Sequence, residues 1–159
     1  MKFTCQTSDL NKAVKSVMTA IAAKPSTPIF GGMHIIADNN TLRLEGMDIN
    51  LSMSNEIPAE VEEAGEIVIA ASRFNDLVRN FNGETVKVTK AQNDNNVRLQ
   101  SGKADYKILL MNVNEFPKYP SITAKQTFVL EEEKIKELIK KTAFACYRFC
   151  PSFIYRRSV

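Results

Sequence analysis

Few residues in this chain are equipped for chemistry, and they are scattered. His34 is the only histidine; flanked by Met33 and Ile35, it reads as a strand residue rather than a catalytic base. Cys146 and Cys150 stand four positions apart with no second ligand pair, so a structural zinc is not expected. The acidic run Glu60, Glu62, Glu63 and Glu66 borders an expected turn at Ala64-Gly65. Paired carboxylates can bind a metal, but a solvated edge is the simpler reading. Ser101-Gly102-Lys103 matches the end of a phosphate-binding loop, yet Val97 and Ala104 stand where that loop needs Gly and Ser or Thr, so it is read as a hairpin. Acid, base and metal groups do not converge, which disfavours an enzyme such as a nuclease, and no cofactor is expected. What remains is a set of cations. Lys12 and Lys15, and then Arg73 and Arg79, fall on the polar sides of two expected helices. Such residues are either simply solvated or form a surface for phosphates.

The elements that would position these cations repeat along the chain. Three segments, starting near Phe3, Ile67 and Phe128, share a short strand followed by a helix with an apolar stripe. In the first, Leu10, Ala13, Val14, Val17, Met18 and Ile21 recur at helical spacing, with Asn11, Lys12, Lys15, Ser16 and Thr19 on the opposite side. In the second, Phe74, Leu77, Val78 and Phe81 do the same. A shift of 64 positions superposes Ser8 on Ser72, Asn11 on Asn75 and Val14 on Val78, and both serines are placed as N-caps. In the third, Phe128-Val129-Leu130 is expected as a strand. It leads through Glu131, Glu132 and Glu133, which suit a helix N-terminus, to Ile135, Leu138 and Ile139.

Strand-rich stretches lie between the helices. Asp38-Asn39-Asn40 precedes Leu42-Arg43-Leu44, and Asp94-Asn95-Asn96 precedes Val97-Arg98-Leu99; Asn pairs tolerate the positive φ of a tight hairpin. Alternation at Ile49, Leu51 and Met53, at Val86 and Val88, and at Tyr106 and Ile108 marks strands with one buried face. The fold class is therefore α+β: two pseudo-duplicated β-α-β-β-β units, with two helices packed on curved antiparallel sheets. The expected domains are 1–120, a linker at 121–126, and the start of a second domain at 127–146.

Composition sets bounds on this reading. A chain of 159 residues with 44% hydrophobic and 25% charged residues has the balance of a globular protein with one substantial core. No stretch approaches the ~20 apolar residues of a membrane span, and the start has no signal-peptide pattern, so no membrane partner and a cytoplasmic location are expected. Three cysteines, an odd and sparse set, fit a reducing compartment. The net charge of +3, from 21 Lys and Arg against 18 Asp and Glu, is small for a protein held on DNA by phosphate contacts alone. The placement of charge therefore matters more than its total.

The order of motifs resembles that of the bacterial sliding clamp, the β subunit of DNA polymerase III. These motifs are Met1-Lys2-Phe3; Lys24-Pro25 followed by Pro28-Ile29; Ser101-Gly102-Lys103 with Tyr106-Lys107; Glu115-Phe116-Pro117; and Thr142-Ala143-Phe144-Ala145. The resemblance implies a DNA clamp fold and a homodimeric ring of three similar domains per subunit. Helices would line a hole around double-stranded DNA, and DNA polymerase III and the clamp loader would be the partners. The activity implied is processivity without catalysis. It also implies that Lys24 contacts DNA from the loop after the first helix, and that Lys12, Lys15, Arg73 and Arg79 supply a mildly positive, non-specific lining. One departure concerns the second helix, where the family often has a basic residue at the position of Ser72; here the cation is Arg73, rotated by about 100°.

After Ala145 the resemblance stops, and 147–159 is read as a tail outside the family. Tyr147 to Ser152, reverse-translated and read one base later, can give Thr-Asp-Ser-Ala-Arg-Pro, the kind of segment with which clamps continue. A shifted reading frame is the expectation that follows, with a truncated chain unable to close a ring. The alternative function is a folded interaction module with no DNA role.

Overall fold

The structure, a computed structural model, describes residues 1–22, 24–49, 51–91, 94–118 and 129–149, with 145–149 as backbone alone. The chain divides into two compact units, Met1–Pro120 and Ser121–Val159. In the first unit, α1 spans Thr7–Val17 and α2 spans Ala71–Arg79, so the two helices begin 64 positions apart, as the internal repeat requires. Each forms because its apolar residues share one side. Leu10, Ala13, Val14 and Val17 of α1 and Ala71, Phe74 and Val78 of α2 are buried, and fully burying a side chain the size of Phe74 stabilises by roughly 1.5–3 kcal/mol. The serines are not N-caps. The capping positions are Gln6 and Ala70, neither of which makes a side-chain cap bond, and Ser8 and Ser72 lie inside the first turn. Strand runs directly into helix at both places. At α1 the first backbone N–H is satisfied from elsewhere, Thr7 N–H donating to Glu84 O at 2.9 Å while Thr7 Oγ1 donates to Gly83 O at 2.6 Å.

Among the described residues, nine strands accompany these helices: β1 Lys2–Gln6, β2 Gly32–Asp38, β3 Thr41–Met47, β4 Ser52–Pro58, β5 Glu60–Glu63, β6 Gly65–Ala70, β7 Thr85–Thr89, β8 Asn96–Ser101 and β9 Ala104–Met111. All pair antiparallel in the order β4-β3-β2-β6-β9-β8-β7-β1-β5, which gives the α+β architecture expected. The two repeats exchange their first strands. β1 pairs with β7 of the second repeat, and β6 pairs with β2 of the first, so neither repeat completes a sheet alone. The acidic run at Glu60 to Glu63 is the edge strand β5.

Strand alternation separates two faces. On the helix side, Met33, Ile35 and Ala37 of β2, Leu42 and Leu44 of β3, and Ile67 and Ile69 of β6 join the buried residues of α1 and α2 in the main core. The other face of β3 and β6 contributes Met47 and Val68 to a smaller cluster with Ile29 and Phe116. Asn39 and Asn40, with φ of 47° and 57°, form the tight β2–β3 turn, and Gly102 at φ +57° begins the two-residue β8–β9 turn. The Asn95-Asn96 pair forms no such hairpin. There Asp94 Oδ1 accepts from Asn96 N–H at 3.0 Å in a longer connection. Ile49 and Leu51 do not begin an alternating strand; both are exposed in the β3–β4 turn, and β4 starts at Ser52.

In the second unit, Val129 and Leu130 lie outside any strand, and Phe128 is outside the described residues. The helix expected through Ile135, Leu138 and Ile139 is α3, Glu132–Phe149, which continues past the position where the family resemblance ends. Most of the proposed tail, 150–159, lies outside the described residues. Among the described residues, no helix is long and apolar enough to cross a membrane.

Candidate nucleic-acid interface

The five candidate cations divide among three neighbouring segments. Lys12 and Lys15 are exposed on α1. At about 100° per residue they point away from the stripe formed by Leu10, Ala13, Val14 and Val17. Arg73 and Arg79 are exposed on α2, which packs directly beside α1. Relative to the buried direction set by Ala71, Phe74 and Val78, Ser72 and Arg73 flank the outward direction on opposite sides, each roughly 130° from the core. The shift from a basic residue at 72 to Arg73 therefore tilts the guanidinium to one side without burying it. Lys24 is exposed in the loop that leaves α1. Ile21, before it, packs on the helix-side core, and Ile29, after it, is buried in the outer cluster. Lys24 thus sits where the chain crosses from one face of the sheet to the other.

Electrostatics separates the helix layer from the outer sheet face. On the outer face, basic residues are matched to carboxylates. Lys2 meets Glu62 at 2.5 Å and Lys87 meets the same residue at 3.6 Å; Arg43 meets Glu45 at 3.1 Å; Lys107 meets Asp94 at 3.0 Å. Arg98 grips Asp105, its Nε donating at 2.8 Å. The bond from Lys2 holds the Glu62 carboxyl below its usual range, and the one from Arg98 does the same for Asp105. In the helix layer, among the described residues, only Lys12 of the five candidates has a carboxylate within ion-pair distance, Asp9 at 3.8 Å. With Asp9 and Asp76 as the acids of α1 and α2, Lys12, Lys15, Lys24, Arg73 and Arg79 leave this layer positive. Mobile ammonium and guanidinium groups without fixed partners can meet phosphates without fixing register.

The acidic run is more than a solvated edge, because Glu62 pairs with Lys2, Glu63 with the Met1 ammonium at 3.2 Å, and Glu66 with His34 at 3.0 Å. Among the described residues, no three His, Cys, Asp or Glu side chains are grouped to hold a metal. The His34 cluster, absent from the sequence reading, joins residues far apart in the chain. It arises from the strand registers, His34 lying opposite Glu45 across β2–β3 and Glu66 lying opposite Ile36, two positions along β2, across β2–β6.

Comparison with known proteins places this geometry. Residues 1–120 match the family model described as DNA polymerase III beta subunit, N-terminal domain. The chain belongs to this family. Among curated relatives, the Beta sliding clamp of Bacillus subtilis is 29% identical over 153 residues, covering 91% of this chain and 40% of that protein. The crystal structure of the DNA polymerase sliding clamp from the same organism superposes with a TM-score of 0.84 at 28% identity, over 91% of this chain and 40% of that one. The beta subunit of Streptococcus pyogenes, at 22% identity, shares the fold with a TM-score of 0.87 over 96% of this chain and 41% of its own. This member of the beta-subunit family therefore spans about 40% of the length of the relatives it matches. The matched region holds α1, α2 and all five candidate cations.

Proposed function

We propose that the chain is part of a processivity factor of bacterial DNA replication, a ring-forming sliding clamp that encircles duplex DNA and tethers DNA polymerase III. In this reading 1–120 is the clamp's N-terminal domain, 121–126 a linker, 127–146 the start of a second clamp domain and 147–159 a tail outside the family. The complete clamp would be a non-catalytic cytoplasmic homodimer served by a clamp loader. The observation that carries the reading is the family match over the domain whose helix layer keeps Lys12, Lys15, Lys24, Arg73 and Arg79 largely clear of carboxylates. A surface of this kind binds phosphates weakly and without sequence preference, as a protein that slides must.

Fluorescence anisotropy with duplexes of unrelated sequence tests it. Lys24→Ala combined with Arg73→Ala should weaken binding to every duplex alike. The dependence of log affinity on log salt should become shallower by about 1.8, at ~0.9 per lost phosphate contact. Because both residues are exposed, melting should barely move. A large fall in melting with unchanged DNA binding would make these residues structural and refute the assignment.

A further inference from the structure

The main exception to simple pairing on the outer sheet face is the buried His34. Both of its ring nitrogens meet carboxylate oxygens: Nδ1 lies 3.1 Å from Glu45 Oε2 and Nε2 lies 3.0 Å from Glu66 Oε2. An ionised carboxylate only accepts, and a neutral imidazole has one N–H to donate, so both contacts are hydrogen bonds only when the cluster carries an extra proton. The two strands beside β2 each turn a carboxylate to the ring, and a further charged pair stands behind Glu45. β3 supplies Glu45 and Arg43, whose Nε is 3.1 Å from Glu45 Oε1; β4 supplies Glu56, 3.6 Å from the same Nε; and β6 supplies Glu66. As an imidazolium, His34 joins Arg43 against three carboxylates. Without that proton, Glu45, which is only 3% exposed, and Glu66 both face a ring that can satisfy just one of them. Burial pulls the His34 pKa down, but the hydrogen bonds and charges of Glu45 and Glu66 outweigh it, and the net shift is upward.

The ring is also a seat for the end of the first unit. Phe116 lies over His34 with centroids 5.0 Å apart and planes tilted by 43°, and it is buried with Ile29, Met47 and Val68. A cation beneath an aromatic face is attracted to it. Phe116 is held in turn by a short 3-10 turn, in which Phe116 N–H donates to Val113 O at 3.0 Å and Glu115 N–H to Asn112 O at 3.2 Å. Asn112 Nδ2 donates to Glu115 Oε1 at 2.9 Å, so the one acid of this turn is engaged within it.

We propose that His34 is a proton-operated latch for the segment Asn112–Pro117: as an imidazolium bridging Glu45 and Glu66 it holds Phe116 on the outer sheet face, and on losing the proton it frees that segment. The latch sits near the end of the first unit, on the face opposite α1 and α2, so it acts on the segment Asn112–Pro117 without touching the cationic layer. Glu66 is the adjustable partner, since it is more than half exposed and can be changed without opening the core.

The sequence contains one histidine, so the imidazole of the intact chain gives a single set of resonances. Its titration can be followed by long-range proton–nitrogen NMR from roughly pH 5.5 to 9.5, with amide protection factors of Glu115 and Phe116 measured in the same samples. The latch predicts a midpoint above the ordinary 6.5 and a loss of protection of about tenfold or more through that same midpoint. Glu66→Gln should lower both midpoints together. A midpoint at or below the ordinary value, protection that stays constant across the titration, or a Glu66→Gln shift confined to the histidine would each overturn the proposal.

Discussion

Replacing Gly46 with alanine tests how closely α1 is held to the sheet. Gly46 lies on the helix-facing side of β3, and a Cβ there would sit 2.6 Å from Val17 Cγ1 and 2.9 Å from Ile21 Cγ1. Ordinary carbon contacts are about 3.5–4.0 Å, so the helix end would have to retreat by roughly 1 Å. Overpacking of this kind costs about 1–3 kcal/mol. Val17 is fully buried, and Val17→Ala alone should cost about 1–3 kcal/mol through lost burial and a small cavity. In the double variant the new methyl occupies the space vacated, so the combined cost should fall short of the sum by about 1 kcal/mol or more. Urea unfolding followed by far-UV circular dichroism measures all four proteins. Gly46→Ala within ~0.5 kcal/mol of the parent, or strictly additive costs, would refute the close approach of α1 that positions Lys12 and Lys15.

Three further outcomes follow from the structure. Because the folded His34 pKa lies above the unfolded 6.5, its contribution to stability is fully present below that value and is lost as pH rises through the folded value. The difference in urea midpoint between the parent and His34→Gln should therefore shrink with rising pH, and a constant difference would contradict the sign. Cys5 is buried, and burial, reinforced by the charge of Asp9, pushes its thiol from 9.0 up to about 12. In a chain with Cys146→Ser and Cys150→Ser, a disulfide reagent near pH 8 should label the native protein at least about a hundredfold more slowly than the unfolded one; equal rates would place Cys5 at the surface. Asn39 sits at φ 47°, so Asn39→Val should cost about 1–2 kcal/mol in the same urea assay while Asn39→Gly stays close to neutral, and identical midpoints would argue against the left-handed turn.

The helices were legible because a buried stripe leaves a period: Leu10 to Val17 and Phe74 to Val78 fix both the elements and the outward direction of Lys12, Lys15, Arg73 and Arg79. The capping serines misled because at both helices the strand runs straight into the first turn, through Gln6 and Ala70, and at α1 the first N–H is satisfied by the distant Glu84 O. The repeat marked strands starting near Phe3 and Ile67, now β1 and β6, but not which strands they join. The exchange that pairs Phe3 with Val88 and Ile35 with Ile67 depends on tertiary closure, of which local pattern carries no trace. Ile49 and Leu51 carried strand-like alternation into a turn, where exposure costs little for single apolar residues. The cations of the candidate interface were visible one by one. What set them apart was the pairing of Lys2, Lys87, Arg98 and Lys107 on the other face, which only the register reveals.

The central claim is that the outward side of α1 and α2, with the loop around Lys24, meets duplex phosphates without reading sequence. Titrating the nitrogen-labelled chain with two short duplexes of unrelated sequence, and recording amide shifts at low and high salt, addresses this directly. The account predicts shifts confined to α1, α2 and the neighbourhood of Lys24, the same for both duplexes and erased as salt rises. Shifts centred on the outer sheet face around His34 and Arg98, or a pattern that changes with the base sequence, would contradict it.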